Sequence, residues 1–255
     1  MSKKKVIILI IVLVILAGLV YFFYPKQRKL SQTQEVTITT GKMRKEVKET
    51  SVIVDRLSKK VEFDLFWSDE RYKKDDFEFS LRSPSGRLIN ENTNDPKIEI
   101  ISTGLALAKG FRITSPESGV WQIIVKYPKQ TEFNTDYIIW SDLKFDWDFL
   151  NPTPKVNEPI IIQAKILEPE PVTGAEVLAT LKKYKKGSIN YTRFNFRLKD
   201  DGKGSDEKAN DGIYTAIFSN TNEEGNYCLE IKARGSTQKA GEFERKFEKC
   251  TFVSR

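Results

Sequence analysis

The sequence predicts an all-β protein in which two β-sandwich domains follow one N-terminal transmembrane helix. Short runs of alternating apolar and polar residues recur between turn signals over most of the 255 residues. An uncharged, mostly aliphatic run occupies residues 6–24. A proline-rich segment at 151–159 divides the strand-like runs into two groups. These three observations define the predicted architecture.

Residues 6–24 have the length and composition of a membrane-spanning helix. At about 1.5 Å per residue the run crosses the apolar core of a bilayer. Aromatic residues at 21–24 suit the headgroup boundary, and Pro25 ends the helix. We expect a retained signal-anchor, with residues 1–5 in the cytoplasm and the folded domains extracellular or periplasmic. A cleavable signal peptide is the alternative, but the run is long for one and no small-x-small cleavage site follows it.

The net charge of +7 is concentrated beside this run. Residues 1–30 contain six basic side chains and no acidic one, whereas residues 31–255 contain 36 basic and 35 acidic side chains. Basic flanks of an apolar segment are typical of a membrane surface. The charge distribution therefore predicts the membrane as a partner, through residues 6–24, and argues against a nucleic-acid partner.

A polar tether at 25–35 and a first domain at 36–150 follow the predicted anchor. In this domain Phe77, Phe79 and Leu81 alternate with polar residues, which places one sheet face in a core and the other in water. Turn signals rich in Gly, Pro, Asn and Asp separate the runs. The predicted strands are 36–40, 52–54, 61–67, 77–83, 97–102, 111–114, 120–127 and 137–145.

The proline-rich segment 151–159 is predicted to be a linker, because prolines cannot continue a strand ladder and they stiffen a spacer. A second domain at 160–255 follows it. Its predicted strands are 160–167, 175–184, 192–198, 213–218, 227–233 and 243–253. Two groups of short strands joined by turns indicate two β-sandwiches in series.

The only two cysteines, Cys228 and Cys250, lie 22 positions apart in predicted strands. If the strands are neighbours, the two thiols can form a cross-strand disulfide in an oxidising compartment. Two unbonded thiols are the alternative, since two cysteines without diagnostic spacing do not decide the question.

The segment 200–212 is the candidate metal site. Its four carboxylates, Asp200, Asp201, Asp206 and Asp211, lie within 12 residues, and three glycines let the backbone fold around them. Close carboxylates repel unless a cation or solvent compensates, and Ca²⁺ takes six to eight oxygen ligands. The four aspartates are therefore candidate Ca²⁺ ligands. Their spacing differs from that of an EF-hand, and a solvated turn is the alternative.

The chain contains no histidine. This excludes Ser-His-Asp, Cys-His and His-zinc chemistry, so we expect a protein that is not an enzyme and has no catalytic residues. An enzyme using carboxylates alone stays open. The acidic pairs at 69–70 and 75–76 are the candidates for its catalytic carboxylates, although mixed charges usually mark a solvated loop.

Four tryptophans, Trp67, Trp121, Trp140 and Trp147, raise the question of a sugar-stacking platform. Their positions in predicted strands favour sandwich cores instead, where large aromatic side chains are usually buried.

Motifs in both domains resemble a known group of modules. Those at 171–177, 198–206, 210–214 and 225–227 resemble the β-sandwich that accompanies von Willebrand A domains in bacterial surface proteins and in calcium-activated chloride channel regulators. Those at 51–55, 66–67, 81–86 and 115–121 are similar to the jelly-roll-like domain preceding that module. The resemblance implies a jelly-roll-like sandwich followed by an immunoglobulin-like one. No segment of this sequence matches the von Willebrand A domain, so its metal-dependent adhesion is not carried over.

These features predict a single-pass, membrane-anchored extracytoplasmic protein that binds or adheres to a protein or surface polymer, or acts as a spacer. Two alternatives are open. One is a carboxylate-only extracytoplasmic hydrolase, recognisable by two facing acids about 5–10 Å apart. The other is an accessory subunit of a membrane complex, in which the helix itself makes the important contact.

Overall fold

The computed structural model describes residues 31–34, 46–102, 107–128 and 131–255. In these ranges the chain is all-β except for one 3-10 turn at Lys74–Asp76. None of the described residues forms a helix long and apolar enough to cross a bilayer. The predicted transmembrane helix, 6–24, and the predicted strand 36–40 lie outside the described residues.

The strands of the first half form two antiparallel sheets. They are β1 (Ser31–Gln34), β2 (Glu46–Val54), β3 (Ser58–Trp67), β4 (Glu78–Arg82), β5 (Leu88–Ile89), β6 (Ile98–Ser102), β7 (Ala108–Thr114), β8 (Gly119–Tyr127) and β9 (Phe133–Ser141). The sheet orders are β1-β9-β3-β7-β6 and β2-β8-β4-β5. Apart from the β6–β7 hairpin, this is the strand order of a jelly roll.

Alternate residues of the two sheets meet in one core. Phe63 of β3 lies against Trp121 of β8, with ring centroids 5.6 Å apart. Phe79 of β4 stacks on Phe111 of β7 at 5.3 Å. Each of these four side chains is almost fully buried. The alternation seen in the sequence therefore reflects sheets with one buried face.

Strand β1 lies inside the segment that the sequence predicts as a tether. Its four residues pair with β9 from Ile138 to Thr135. The apolar pattern cannot reveal such a strand, because pairing at a sheet edge uses main-chain hydrogen bonds that any sequence can make.

The second half forms an immunoglobulin-like sandwich. Its strands are β10 (Lys144–Phe149), β11 (Ile160–Glu168), β12 (Glu170–Pro171), β13 (Glu176–Lys185), β14 (Tyr191–Leu198), β15 (Ile213–Phe218), β16 (Gly225–Thr237) and β17 (Gly241–Val253). One sheet has the order β14-β13-β16-β17, and in the other β11 pairs with β10, β12 and β15. The Tyr227 hydroxyl donates to the Glu223 carbonyl at 2.9 Å, as in the tyrosine corner of such sandwiches.

The second core begins before the proline-rich segment. Leu143, Phe145 and Phe149 are buried in it, because β10 pairs with β11 along its whole length. The sequence predicts that the first domain extends to residue 150. The structure instead places β10 in the second sandwich, because periodicity does not reveal which sheet a strand joins. The segment 151–159 connects these two paired strands, and the Val156 N–H donates to the Ser254 carbonyl at 2.7 Å.

The β16–β17 hairpin contacts the first sandwich. The Arg56 N–H donates to the Ala240 carbonyl at 2.8 Å. In the same place Arg245 of β17 pairs with Asp55, which follows β2. The Glu168 carboxylate braces the hairpin tip by accepting from the Thr237 hydroxyl and the Ala240 N–H. The tip is therefore held from both sandwiches.

Candidate functional site

The four predicted aspartates lie in the loop between β14 and β15. Asp200, Asp206 and Asp211 each contribute a carboxylate oxygen, and these three atoms all lie within 4.8 Å of one another. Asp201 is outside this group. It accepts from the Lys203 N–H at 3.2 Å and lies 3.8 Å from the Lys199 ammonium. The structure thus brings together three of the four residues.

Backbone amides already bind all three clustered carboxylates, including that of Asp211, which accepts from the Ile213 N–H at 3.0 Å. Asp200 accepts from the N–H groups of Asp211 and Gly212 at 3.1 and 3.0 Å. Asp206, which is almost fully buried, accepts from the Gly202 N–H at 2.5 Å. The φ of Gly202 is +66°, a left-handed conformation that glycine adopts without strain.

These N–H groups reduce the repulsion between the carboxylates, because a hydrogen-bond donor stabilises the charged form of a carboxylate. Each carboxylate still has free lone-pair positions, because an ionised carboxylate offers about four. The set can supply three oxygens to one divalent ion, and Ca²⁺ would take the others from carbonyls or water. Calcium binding here stays a prediction.

Cys228 and Cys250 are bonded, with an S–S distance of 2.00 Å. They lie directly opposite each other on β16 and β17. The bond therefore links neighbours within one sheet, whereas the disulfide of antibody domains joins the two sheets. Cys250 is exposed while Tyr227 and Leu229, on either side of Cys228, are buried. The disulfide accordingly lies on the outward face of its sheet.

The four tryptophans divide into two kinds. Trp67 and Trp121 are buried in the first core. Trp140 is half-buried, and the Lys60 ammonium lies 4.0 Å from its ring centroid. Trp147 packs against the second core, beside Phe149. The predicted core position is therefore confirmed for Trp67 and Trp121, whereas Trp140 and Trp147 are only half-buried.

The acidic pair at 69–70 lies in a solvated connection. Arg71 forms an ion pair with Asp69 at 2.6 Å, and 81% of the Arg71 side chain is exposed. Hydrogen bonds from Arg71 hold the pKa of Asp69 below its usual value. At 75–76, the Asp76 carboxylate accepts from the Lys73 N–H. Bonds of this kind, between residues two or three positions apart, brace a loop.

Asp64 of β3 has a more unusual environment than any acid singled out from the sequence. Burial raises its pKa to about 7, with further contributions from the charges of Glu62 and Asp136. Asp136 of β9 and Gly110 of β7 lie opposite Asp64 on the two neighbouring strands. A side chain at Gly110 would collide with the Asp64 carboxylate. The carboxylate thus lies close over the β7 backbone.

The sequence carried no signal for this arrangement. Asp64 alternates with the buried residues Phe63 and Leu65, which is what any solvent-facing strand position does. Its partial burial depends on β7 and β9, whose residues opposite Asp64 lie 46 and 72 positions further along the chain.

The second sandwich is similar to domains of known proteins. Residues 165–253 match the family model described as the conditioned medium factor 2nd Ig-like domain. The human calcium-activated chloride channel regulators 4 and 1 are 36% identical over 83 residues and 28% identical over 89 residues. These stretches cover 32% and 34% of this chain but only 8% and 9% of the two relatives. The predicted resemblance to the β-sandwich modules of these regulators is confirmed.

Two solved structures share most of the fold. A Bacillus licheniformis lipase in propeptide form superposes with a TM-score of 0.52 at 12% identity, covering 88% of this chain and 41% of that chain. A DUF4785 family protein from Legionella pneumophila gives a TM-score of 0.53 at 10% identity, covering 88% of this chain and 64% of that chain. At such identities the likeness concerns the fold alone, and it shows that this succession of two sandwiches recurs.

Proposed function

We propose that this chain is a single-pass, membrane-anchored extracytoplasmic protein whose two sandwiches form a stiff binding or spacer module. The hydrophobic run 6–24 supports the anchor, because its length and lack of charge suit a bilayer. The immunoglobulin-like match supports a module that acts by contact with other molecules. The partner we propose is a protein or a surface polymer.

One observation carries the spacer role. The ion pair between Asp55 and Arg245 joins the two sandwiches, and both side chains are fully buried. A hinge between independent domains would leave such groups in water, since contacts between mobile domains are usually polar and wet. A buried, directional contact fixes the angle between the sandwiches. The module can therefore hold a binding surface at a set distance from the membrane.

The anchor is tested with the full-length chain. We expect it to stay in the membrane pellet after alkaline carbonate extraction, and protease added to intact cells or spheroplasts should digest the sandwiches. A Leu13→Lys/Ile15→Lys variant should lose membrane association, since charges at the centre of an apolar helix oppose insertion. Recovery of the unaltered chain in the soluble fraction would contradict the proposal.

A second candidate, a carboxylate-only hydrolase, is favoured by the raised pKa of Asp64 beside Glu62 and Asp136. A proton-donating acid and an ionised acid are the groups that such an enzyme needs. Asp64→Asn should abolish hydrolysis of an envelope glycan if this role is correct. Under the binding and spacer proposal, the wild-type chain and the variant are equally inactive.

The accessory-subunit alternative makes a different prediction. Replacing residues 6–24 with an unrelated membrane anchor should preserve the function of a binding or spacer module. A subunit whose helix makes the important contact should lose function after the same exchange.

A further inference from the structure

A polar cleft lies beside β4 in the first sandwich. Its volume is about 400 Å³, which lies within the range of small-molecule sites. The cleft exists because β5 pairs with β4 only at Leu81 and Arg82. Beyond Ile89 the chain turns away, and the Thr93 N–H donates to the Asn90 carbonyl at 3.0 Å. In the described part of the chain, no strand lies along the outer edge of β4 from Glu78 to Ser80.

The floor of the cleft is fixed by a buried lysine. Only 4% of the Lys109 side chain is exposed. Its ammonium donates to the carbonyls of Phe77 and Lys74 and pairs with Glu91 at 2.8 Å. Since an ammonium has three donors, all of them are used. Lys109 therefore shapes the cleft and holds Glu91 at its side, but has no donor left for a ligand.

Charges within the cleft largely cancel. Glu91 is paired with Lys109, and Glu78 is paired with Lys126 at 3.0 Å. Asp75 adds one further carboxylate. A strongly anionic or cationic ligand would find no matching field here. A neutral ligand would find both acceptors and donors among the lining residues.

The remaining lining is suited to hydroxyl groups. Asn90, Asn92 and Ser80 add amide and hydroxyl groups that both donate and accept. Leu88, which is 52% exposed, offers an apolar surface at the same place. The rings of Phe77 and Phe79 are buried in the core, so they offer no open aromatic face. Mixed donors and acceptors around a small apolar patch match the alternating hydroxyl and C–H surfaces of a sugar ring.

We propose that this cleft binds a neutral oligosaccharide, accommodating about two sugar rings. Asp75 and Asn92 bind hydroxyl groups from the rim, and Leu88 contacts the C–H face of a ring. The inference rests on the proposed binding function and names its ligand class. An extended peptide fits less well, because the open edge of β4 spans only three residues and a strand added there would form few main-chain hydrogen bonds.

Binding is measured with the full chain in phospholipid nanodiscs, since many detergents carry sugar headgroups. The probes are the tetrasaccharides of glucose and of N-acetylglucosamine in β-1,4 linkage and of glucose in α-1,4 linkage, each titrated by calorimetry. We expect saturable binding of at least one of them. Asp75→Ala and Asn92→Ala should each weaken it by about tenfold, the effect of losing one or two hydrogen bonds.

Glu132→Ala and Asn134→Ala are the matched controls, because both residues are exposed and lie elsewhere on the first sandwich. They should leave affinity within about twofold of the wild type. Absence of binding to all three sugars, or equal losses in the control variants, would overturn the cleft assignment. So would binding of immobilised unstructured peptides in place of sugars. Membrane association and protease accessibility test the proposed function separately, so its failure is distinguishable from failure of the cleft.

Discussion

Arg245 and Asp55, which are 190 residues apart in sequence, form an ion pair whose two side chains are completely buried. The Arg245 guanidinium lies 2.5 Å from an Asp55 carboxylate oxygen. Asp55 also accepts from the Leu57 N–H and from the hydroxyls of Ser58 and Ser141. A buried carboxylate needs several hydrogen bonds of this kind, because removal from water costs several kcal/mol per ion. The contact therefore depends on both sandwiches being in place.

Removing one partner of this pair should be costly. Arg245→Met leaves the Asp55 charge buried without its counter-charge, and we expect the free energy of unfolding to fall by about 3–5 kcal/mol. Urea unfolding of the full chain in micelles measures the loss. Because the contact joins the two cores, the variant should also show two separate transitions, one for each sandwich.

An exposed ion pair provides the control for this experiment. Lys59 and Asp142 lie 2.6 Å apart with 69% and 61% of their side chains exposed. Lys59→Met should cost less than about 1 kcal/mol, because water screens exposed pairs. Equal losses in Arg245→Met and Lys59→Met would show that the buried pair does not couple the sandwiches.

The disulfide should contribute to stability through the unfolded chain. It closes a loop with a sequence separation of 22 residues, for which the chain-entropy model gives about 3 kcal/mol. We expect reductant to lower the urea midpoint of the wild type while leaving the sheet intact, since β16 and β17 pair through 13 residues. The Cys228→Ala/Cys250→Ala variant should not respond to reductant. A wild type with the same insensitivity would contradict this prediction.

Asp64 should lower stability at neutral pH. Folding raises its pKa from 3.8 to about 7, so the folded chain binds more protons than the unfolded chain between these pH values. The free energy of unfolding therefore falls as pH rises through this window. Asp64→Asn removes the ionisation, and at pH 8 the variant should be more stable than the wild type by roughly 1–3 kcal/mol.

The gain from Asp64→Asn should disappear near pH 4, where the wild-type carboxyl is protonated in the folded state. Glu132→Gln, at an exposed position that precedes β9, is the control and should leave the pH profile unchanged. A stability difference that does not vary between pH 4 and pH 8 would exclude the raised pKa as its cause.

The aspartate loop should respond to calcium if the cluster holds an ion. Ca²⁺ should then raise the melting temperature relative to chelator, because a ligand that binds only the folded state stabilises it. Asp206→Asn should abolish this rise, since it removes a clustered carboxylate but keeps an oxygen for the Gly202 N–H. Asp201→Asn, outside the cluster, should retain it. If Ca²⁺ does not raise the melting temperature of the wild type, the loop is a turn braced by its own carboxylates and not a calcium site.

The candidate sites differ in how far the sequence could predict them. Asp200, Asp206 and Asp211 lie in one short loop. Their closeness in the sequence and the glycines between them therefore predicted that they would be close in space. The Asp64 environment could not be predicted, because its neighbours Asp136 and Gly110 come from separate strands. The cleft beside β4 could not be predicted from the sequence either, since it depends on where β5 stops pairing with β4.

The sequence by itself determines the local structure of this protein. Alternating side chains and turn residues determine the strands, and the match to an immunoglobulin-like model agrees with the sandwich predicted for the second half. Tertiary structure alone decided that β10 joins the second core, that β1 pairs at a sheet edge, and that Arg245 meets Asp55. The reason is physical: the pattern of one strand records which face is buried, whereas main-chain pairing and long-range ion pairs depend on partners that no local pattern identifies.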